Sequence, residues 1–278
     1  MRLIFENERG RIVMHGGGGH SWNITRISGL SLPEINVNSV RYPYAAGQVV
    51  TRANIMERYI TVSGDVCDEK RKYISHAINI FLLPGVLYVE SFGKTKKINV
   101  RCISFEPNQS KGMYVPFTIQ FCADSPYFED LYEIKTQIIR HEKKLSSPFV
   151  LGCAFSERLL KNNVINRGDI VAEPVFEIYS KEGAVCPYGI YIRNIKNGKV
   201  IKLITNLSAD ECITVDVKNR KITSNKRGNI LSCLAKLTSL SEFSLEAGVS
   251  AVEITAEEIS GEISAVCIHT NSYISADV

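Results

Sequence analysis

The sequence predicts a mainly β protein with one α-helix. Three observations carry this. Apolar and polar residues alternate in short runs along most of the chain, turn residues separate those runs at intervals of roughly ten residues, and only Asp68–Leu83 has helical spacing over a long window. The chain has 278 residues, enough for about two domains. With 45% apolar and 22% charged residues it matches ordinary globular composition, which excludes disorder, collagen and low-complexity scaffolds.

The first strands are expected at Trp22–Ile27, Gln48–Ile55 and Arg58–Ser63. Between the first two, Leu32-Pro33 and Tyr42-Pro43-Tyr44 read as extended loop, because a residue before proline is pushed out of the helical region. The helix is expected over 68–83, with Ile74, Ile78, Phe81 and Leu82 on one apolar stripe and Asp65 or Asp68 as N-cap. Pro84-Gly85 ends it, since proline cannot continue the hydrogen-bond ladder. A hairpin follows, Val86–Ser91 and Lys96–Phe105, joined by Phe92-Gly93-Lys94. Tyr114–Cys122 is a further strand and ends in the turn-rich Ala123–Phe128. Residues 129–145 fit strand or helix. Leu145-Ser146-Ser147-Pro148 reads as a linker, which places one domain at 1–147 and a second at 148–278.

The second domain reads as almost purely β. Strands are expected at Val171–Ser180, Gly189–Arg193, Val200–Ile204, Cys212–Val217, Lys221–Ser224, Val249–Thr255 and Glu262–His269. Asn197-Gly198 marks a hairpin, since both residues tolerate the positive φ of a type I′ turn. Short strands at this spacing indicate a sandwich or jelly roll.

Charge and cysteines point to no specialised chemistry. The net charge is +4, with 19 basic and 14 acidic residues in 1–145 against 14 and 15 in 146–278. That is too little for a nucleic-acid-binding module, which concentrates basic residues on one face. None of the eight cysteines forms a C-x-x-C pair, so zinc ribbons and thioredoxin-like motifs are not expected. Without a signal-peptide pattern the expectation is a reduced cytosolic protein, and no apolar run is long enough to span a membrane.

The search for a reactive site returns little. His15-Gly16-Gly17-Gly18-Gly19-His20 resembles an oxyanion-hole stretch, but no G-x-S-x-G elbow accompanies it, and the Gly-Lys-Ser/Thr of a phosphate loop is absent. His76, His141 and His269 lack partners in any catalytic pattern, and Asp124/Glu129/Asp130 and Glu257/Glu258 read as polar turn tips. Lys70-Arg71-Lys72 and Lys94, Lys96, Lys97 and Arg101 read as solvated basic clusters. Tyr179, Tyr188, Tyr191 and Tyr273 are the rings on which a sugar would stack. No catalytic, cofactor-binding or metal-ligating residue is assigned.

The order of motifs resembles the siphophage distal tail protein family, also called phage tail or tail-component proteins. Arg58-Tyr59-Ile60-Thr61-Val62-Ser63-Gly64-Asp65-Val66 is similar to the family's strand before its helix. Phe117–Cys122 with Ala123-Asp124-Ser125-Pro126-Tyr127-Phe128 resembles its strand ending in an acidic-Pro-aromatic turn. Asn166-Arg167-Gly168-Asp169 with Pro174–Ile178, Ile192–Ile201, Cys212–Asp216 and Phe243–Val249 resemble successive segments of its second domain. Val249-Ser250 departs from the usual Gly-Asn continuation, and Cys212 occupies a usually aliphatic place.

The resemblance implies an N-terminal β domain with a helix and an extended hairpin, followed by a galectin-like β-sandwich. It implies a structural role in a siphophage or prophage tail, and no enzyme. Six copies would form a ring, the baseplate hub, joining the tail tube protein to a tail-associated lysin or tail-fibre protein, with DNA passing through without specific recognition. The location implied is the virion tail tip, after synthesis in the bacterial host cytoplasm. The helix Asp68–Leu83 and the hairpin Val86–Phe105 would be arms, with Tyr88, Phe92 and Ile98 as ring contacts. The alternative is a carbohydrate-binding host-attachment module. A hydrolase has only the His15–His20 loop and the acidic pairs behind it.

Overall fold

A computed structural model describes residues 1–17, 19–44, 46–67, 72–108, 113–143, 156–236 and 238–276. The chain forms two compact units, Met1–Leu131 with the C-terminal run from Tyr273, and Tyr132–Ser272. The division therefore falls between Leu131 and Tyr132, ahead of the expected cut at 147/148. The expected linker Leu145–Pro148 lies outside the described residues.

In the first unit, β1 (Arg2–Asn7), β2 (Gly10–Gly16), β3 (Trp22–Ser28), β6 (Arg58–Cys67), β9 (Tyr114–Ala123), β8 (Lys94–Pro107) and β7 (Gly85–Ser91) pair in that order, and β7 returns to β1. Seven strands thus close on themselves. The short β10 (Phe128–Asp130) adds beside β8. Alternation makes the interior: β6 buries Ile60, Val62 and Val66, and β9 buries Val115, Phe117, Ile119 and Phe121. The hairpin β1–β2 is absent from the expected strands, because Leu3, Ile4 and Phe5 are buried in succession and hide the alternation.

The helix α1 (Lys72–Phe81) packs Phe81 against Phe5, Phe105 and Phe121, at 5.2–5.9 Å between ring centroids. Its expected start at 68–71 lies outside the described residues. Asp65 is not its cap, because it lies in β6 and accepts the Asn23 side-chain amide. The buried face is Ile74, Ala77, Ile80 and Phe81, while Ile78 and Leu82 of the expected stripe are exposed. Asn7 fixes that rotation by donating to the carbonyls of Ile80 and Leu83.

Between β3 and β6 the chain makes a separate two-stranded ribbon, β4 (Ile35–Val40) and β5 (Val49–Ile55). The expected loop over 32–44 is thus half strand. The hairpin expected as an arm, Val86–Phe105, is instead β7–β8, part of the closed sheet.

In the second unit, β11 (Ile134–Gln137) resolves the ambiguous stretch as strand, and β12 (Arg140–Lys143) pairs with β13 (Ser156–Leu159). The remaining strands are β14 (Lys161–Asn166), β15 (Val175–Ser180), β16 (Ala184–Val185), β17 (Ile190–Asn194), β18 (Val200–Leu203), β19 (Glu211–Asp216), β20 (Lys221–Ser224), β21 (Gly228–Asn229), β22 (Gly248–Ala256), β23 (Ser260–Gly261) and β24 (Ser264–His269). One sheet runs β11-β24-β15-β19-β20-β21 and another β14-β22-β17-β18. Their inward residues, among them Phe176, Ile178, Ile192, Ile213, Val252, Ile254 and Cys267, form one core. At Asn197-Gly198 only Gly198 takes a positive φ, +72°, and the loop closes through Asn194 and Lys199. The connection is therefore longer than the expected type I′ turn. The chain then re-enters the first unit at Tyr273, in β25 (Ser272–Tyr273).

Candidate interaction surface

The ribbon is the part of the first unit whose burial pattern does not balance. Residues paired directly across an antiparallel ladder share a face. Ile35 opposes Ile55 and Val37 opposes Ala53, while Asn36 opposes Asn54 and Asn38 opposes Arg52. After a register shift beside Asn38/Ser39, Val50 joins the first face. The root half of the ribbon thus has one apolar and one polar face, while towards the tip Ser39 opposes Val50 on the first face and Val40 opposes Val49 on the second; Ile35, Val37, Val40, Val49, Val50 and Ile55 are all exposed. A lone two-stranded ribbon is marginal in water, and a contiguous exposed apolar face marks a docking surface. Local bonds pin it: Ser39 Oγ donates to Gln48 and Thr51 Oγ1 to the Asn38 carbonyl.

The root of the ribbon is stiff. Gly29 has φ +89°, and a Cβ there would lie 2.0 Å from the Tyr59 carbonyl, so only glycine fits. Arg58 is 1% exposed and its guanidinium donates to the carbonyls of Gly29, Ser31, Pro126 and Ile274 at 2.5–2.8 Å. It also lies over the Phe128 ring.

The residues expected to make ring contacts separate. Phe92 is 93% exposed at the tip of β7–β8, where Phe92 and Gly93 both have positive φ, as a type I′ turn requires. Tyr88 is half-buried. Ile98 is 2% exposed and belongs to the core, so it offers no surface to a neighbour. Of the ribbon's two strands, β5 matches the expected Gln48–Ile55, while β4 falls in the expected loop; the alternation of Ile35 and Val37 with Asn36 and Asn38 is the sequence signal for it.

Among the described residues, the other singled-out side chains take separate partners. His15 and His20 stack with ring centroids 3.9 Å apart and planes 19° apart. Two nearly parallel rings at that separation cannot aim in-plane lone pairs at one ion. Burial and the neighbouring His20 and Arg2 push His15 below the usual histidine range. His76 is exposed on α1, and His269 is buried with Nε2 against the Ile165 carbonyl. Asp124 pairs with Arg101, and Asp130 accepts the Tyr273 hydroxyl. Among the described residues no three His, Cys, Asp or Glu side chains come together as metal ligands.

The basic cluster disperses: Lys96 is buried over the Tyr273 ring, Lys97 donates to the Leu131 carbonyl, and Arg101 pairs with Asp124. Lys70 and Arg71 lie outside the described residues. Of the possible sugar-stacking rings, Tyr191 lies under the Lys202 ammonium, Tyr179 donates to Asp210, and Tyr273 belongs to the first unit.

The fold is therefore a closed β unit with a projecting two-stranded ribbon, joined to a two-sheet β unit. No family model matches the sequence, and no curated protein matches it. Two solved structures share this fold. The chain is similar to the Dit protein of phage SPP1, described as a paradigm of the hub adsorption apparatus in phages infecting Gram-positive bacteria. The TM-score is 0.67 at 12% identity, over 90% of this chain and 92% of that one. It is also similar to a chain of the phage P2 baseplate in its activated conformation with Ca, with TM-score 0.50, 11% identity and 97% of each chain covered. At such identities the likeness is one of fold.

Proposed function

We propose that this protein is a distal tail, or baseplate hub, protein of a siphophage-type or prophage tail. It acts as structure and not as an enzyme. Its first unit forms a hexameric ring that joins the tail tube to a tail-associated lysin or fibre protein, and its second unit is a galectin-like sandwich. The observation that carries the reading is the correspondence of fold with SPP1 Dit over nine-tenths of both chains. The unpartnered ribbon supports it, because a ring needs a head-to-tail contact between unlike surfaces of neighbouring copies. An amphipathic ribbon projecting from a closed sheet supplies one such surface, and Phe92 at the β7–β8 turn, with the half-buried Tyr88 of β7, supplies aromatic contacts elsewhere on the first unit.

Light scattering on the purified chain tests this. A mass of six 31.0 kDa copies, with rings in negative-stain images, is expected. A monomer at every concentration, alone and mixed with the tail tube protein, overturns it.

A further inference from the structure

The C-terminal return and the ribbon meet at one place. Tyr273 starts the return, with its ring beneath the Lys96 ammonium at 3.9 Å from the centroid. The Ile274 carbonyl accepts from Arg58, the Ser275 carbonyl from Lys96, and the Ala276 amide donates to the Leu30 carbonyl. Leu30 lies between Gly29 and Ser31, the two residues whose carbonyls share Nη1 of Arg58. These residues lead into the ribbon at Ile35, and Arg58 is where the chain leaves it. Both legs of the ribbon are therefore tied through one guanidinium to a segment 216 residues further along the chain.

We propose that the C-terminal return, Tyr273–Ala276, is a latch that sets the ribbon: seated on Arg58, Lys96 and Leu30 it holds the ribbon root in one geometry, and unseated it frees the ribbon to swing. The physical ground is the composition of the joint. Past Tyr273, whose ring and hydroxyl meet Lys96 and Asp130, the return is held at its backbone by Arg58, Lys96 and Leu30, so these bonds fix the direction of the chain whatever side chains it carries there. Arg58 is planar with five donors in a fixed fork, which makes it a rigid junction for several carbonyls at once. A fused pair of strands gains no stiffness from a sheet it does not join, so its direction is decided at the root. The latch also has a mechanical input. Ser272 ends the second unit and Tyr273 begins the latch, so one of the two covalent connections of that unit runs straight to the ribbon root.

The inference deepens the ring reading and rests on it, and the test separates the two. Hydrogen exchange is measured on the full chain, at a concentration where it is monomeric, for the wild type, Ala276→Pro, Lys96→Met and Arg58→Lys. Ala276→Pro deletes one N–H of the latch, and Lys96→Met keeps the length of a buried side chain while removing its bond. At least tenfold faster exchange is expected in residues 29–34 and 54–58, with β1 and β7 unchanged. Root exchange unchanged in both Ala276→Pro and Lys96→Met overturns the latch, as does an equal rise in β1 and β7. If Arg58→Lys fails to fold, the other two variants decide. The ring is read separately, by wild-type mass at high concentration: its absence removes the ring and leaves the exchange result to judge the latch.

Discussion

Arg58 in the first unit and Glu211 in the second are both buried charges at a meeting of loops, and their surroundings differ in kind. Arg58 is 1% exposed and its guanidinium donates to four backbone carbonyls. Glu211 is fully buried and receives the Arg227 guanidinium at 2.6 Å, the Ser224 hydroxyl and the Ser208 amide. Burial by itself pushes the Glu211 carboxyl up, but those three donors and the Arg227 charge outweigh it and hold it at about 2. Burial lowers the Arg58 value too, yet a guanidinium starts so high that it stays charged. The first joint is therefore insensitive to pH and the second is not. A protein can fasten distant segments with a cation alone, because each peptide supplies a carbonyl; an anion needs donors brought to it.

The largest effect expected is Arg58→Met, which leaves four carbonyls short of a donor and removes the tie between the ribbon root, Pro126 and the C-terminal return. A loss of about 3–5 kcal/mol is expected for the first unit. Urea unfolding followed by Trp22, the sole tryptophan and a core residue of that unit, reads it directly. A loss under about 1 kcal/mol would show that the joint is ornamental.

Glu211→Gln comes next. A shift from 4.5 to about 2 corresponds to about 3 kcal/mol. The folded value lies below the unfolded one, so this stability is present above pH 4.5 and is lost as pH falls from 4.5 through about 2. Hydrogen exchange in β15 and β19 should show that acid loss in the wild type and a flatter profile in the variant. Trp22 in the first unit should not follow the Glu211 transition.

His269 sharpens the contrast at milder pH. Burial lowers it below 6.5, against a weaker upward pull from the Ile165 carbonyl. Its unfolded form binds a proton more readily, so the second unit loses stability as pH falls through 6.5. His269→Gln should remove the part of that slope between pH 7.5 and 5.5. The smallest effect belongs to the exposed pair Lys199–Glu242, 2.8 Å apart. Lys199→Met should barely move the urea midpoint of the second unit, and that little should vanish in high salt.

The sequence made some of this legible and hid the rest for physical reasons. β3, β5, β9, β17 and β20 fall within a residue or two of their expected bounds, because alternation survives wherever one face meets a core. The helix was visible but its face was not. Ile74, Ala77, Ile78, Ile80, Phe81 and Leu82 surround most of it, and the choice between stripes is made by Asn7 gripping the carbonyls of Ile80 and Leu83 from another strand. Arg58 stood in a recognised strand motif, but its acceptors lie 27 to 216 residues away, beyond any local pattern. Tyr88, Phe92 and Ile98 look alike from sequence, and it is the closed sheet that separates them: Phe92 is exposed at a turn, Tyr88 is half-buried, and Ile98, between Lys97 and Asn99, is in the core.

The ribbon has a consequence for the protein before it meets any partner. Among the described residues its two strands pair only with each other, each leaving one hydrogen-bonding edge open, and the exposed Ile35, Val37, Val50 and Ile55 lie on the same strands. That combination is the template on which unrelated chains stack into aggregates. The opposite face carries Asn36, Asn38, Arg52 and Asn54 beside the Val40–Val49 pair at the tip, and these polar groups of low strand propensity, with one positive charge, disfavour stacking of copies face to face. Solubility during overproduction should therefore depend on these four residues far more than on the rest of the surface, and Arg52→Val should drive the chain into inclusion bodies while leaving the closed sheet intact.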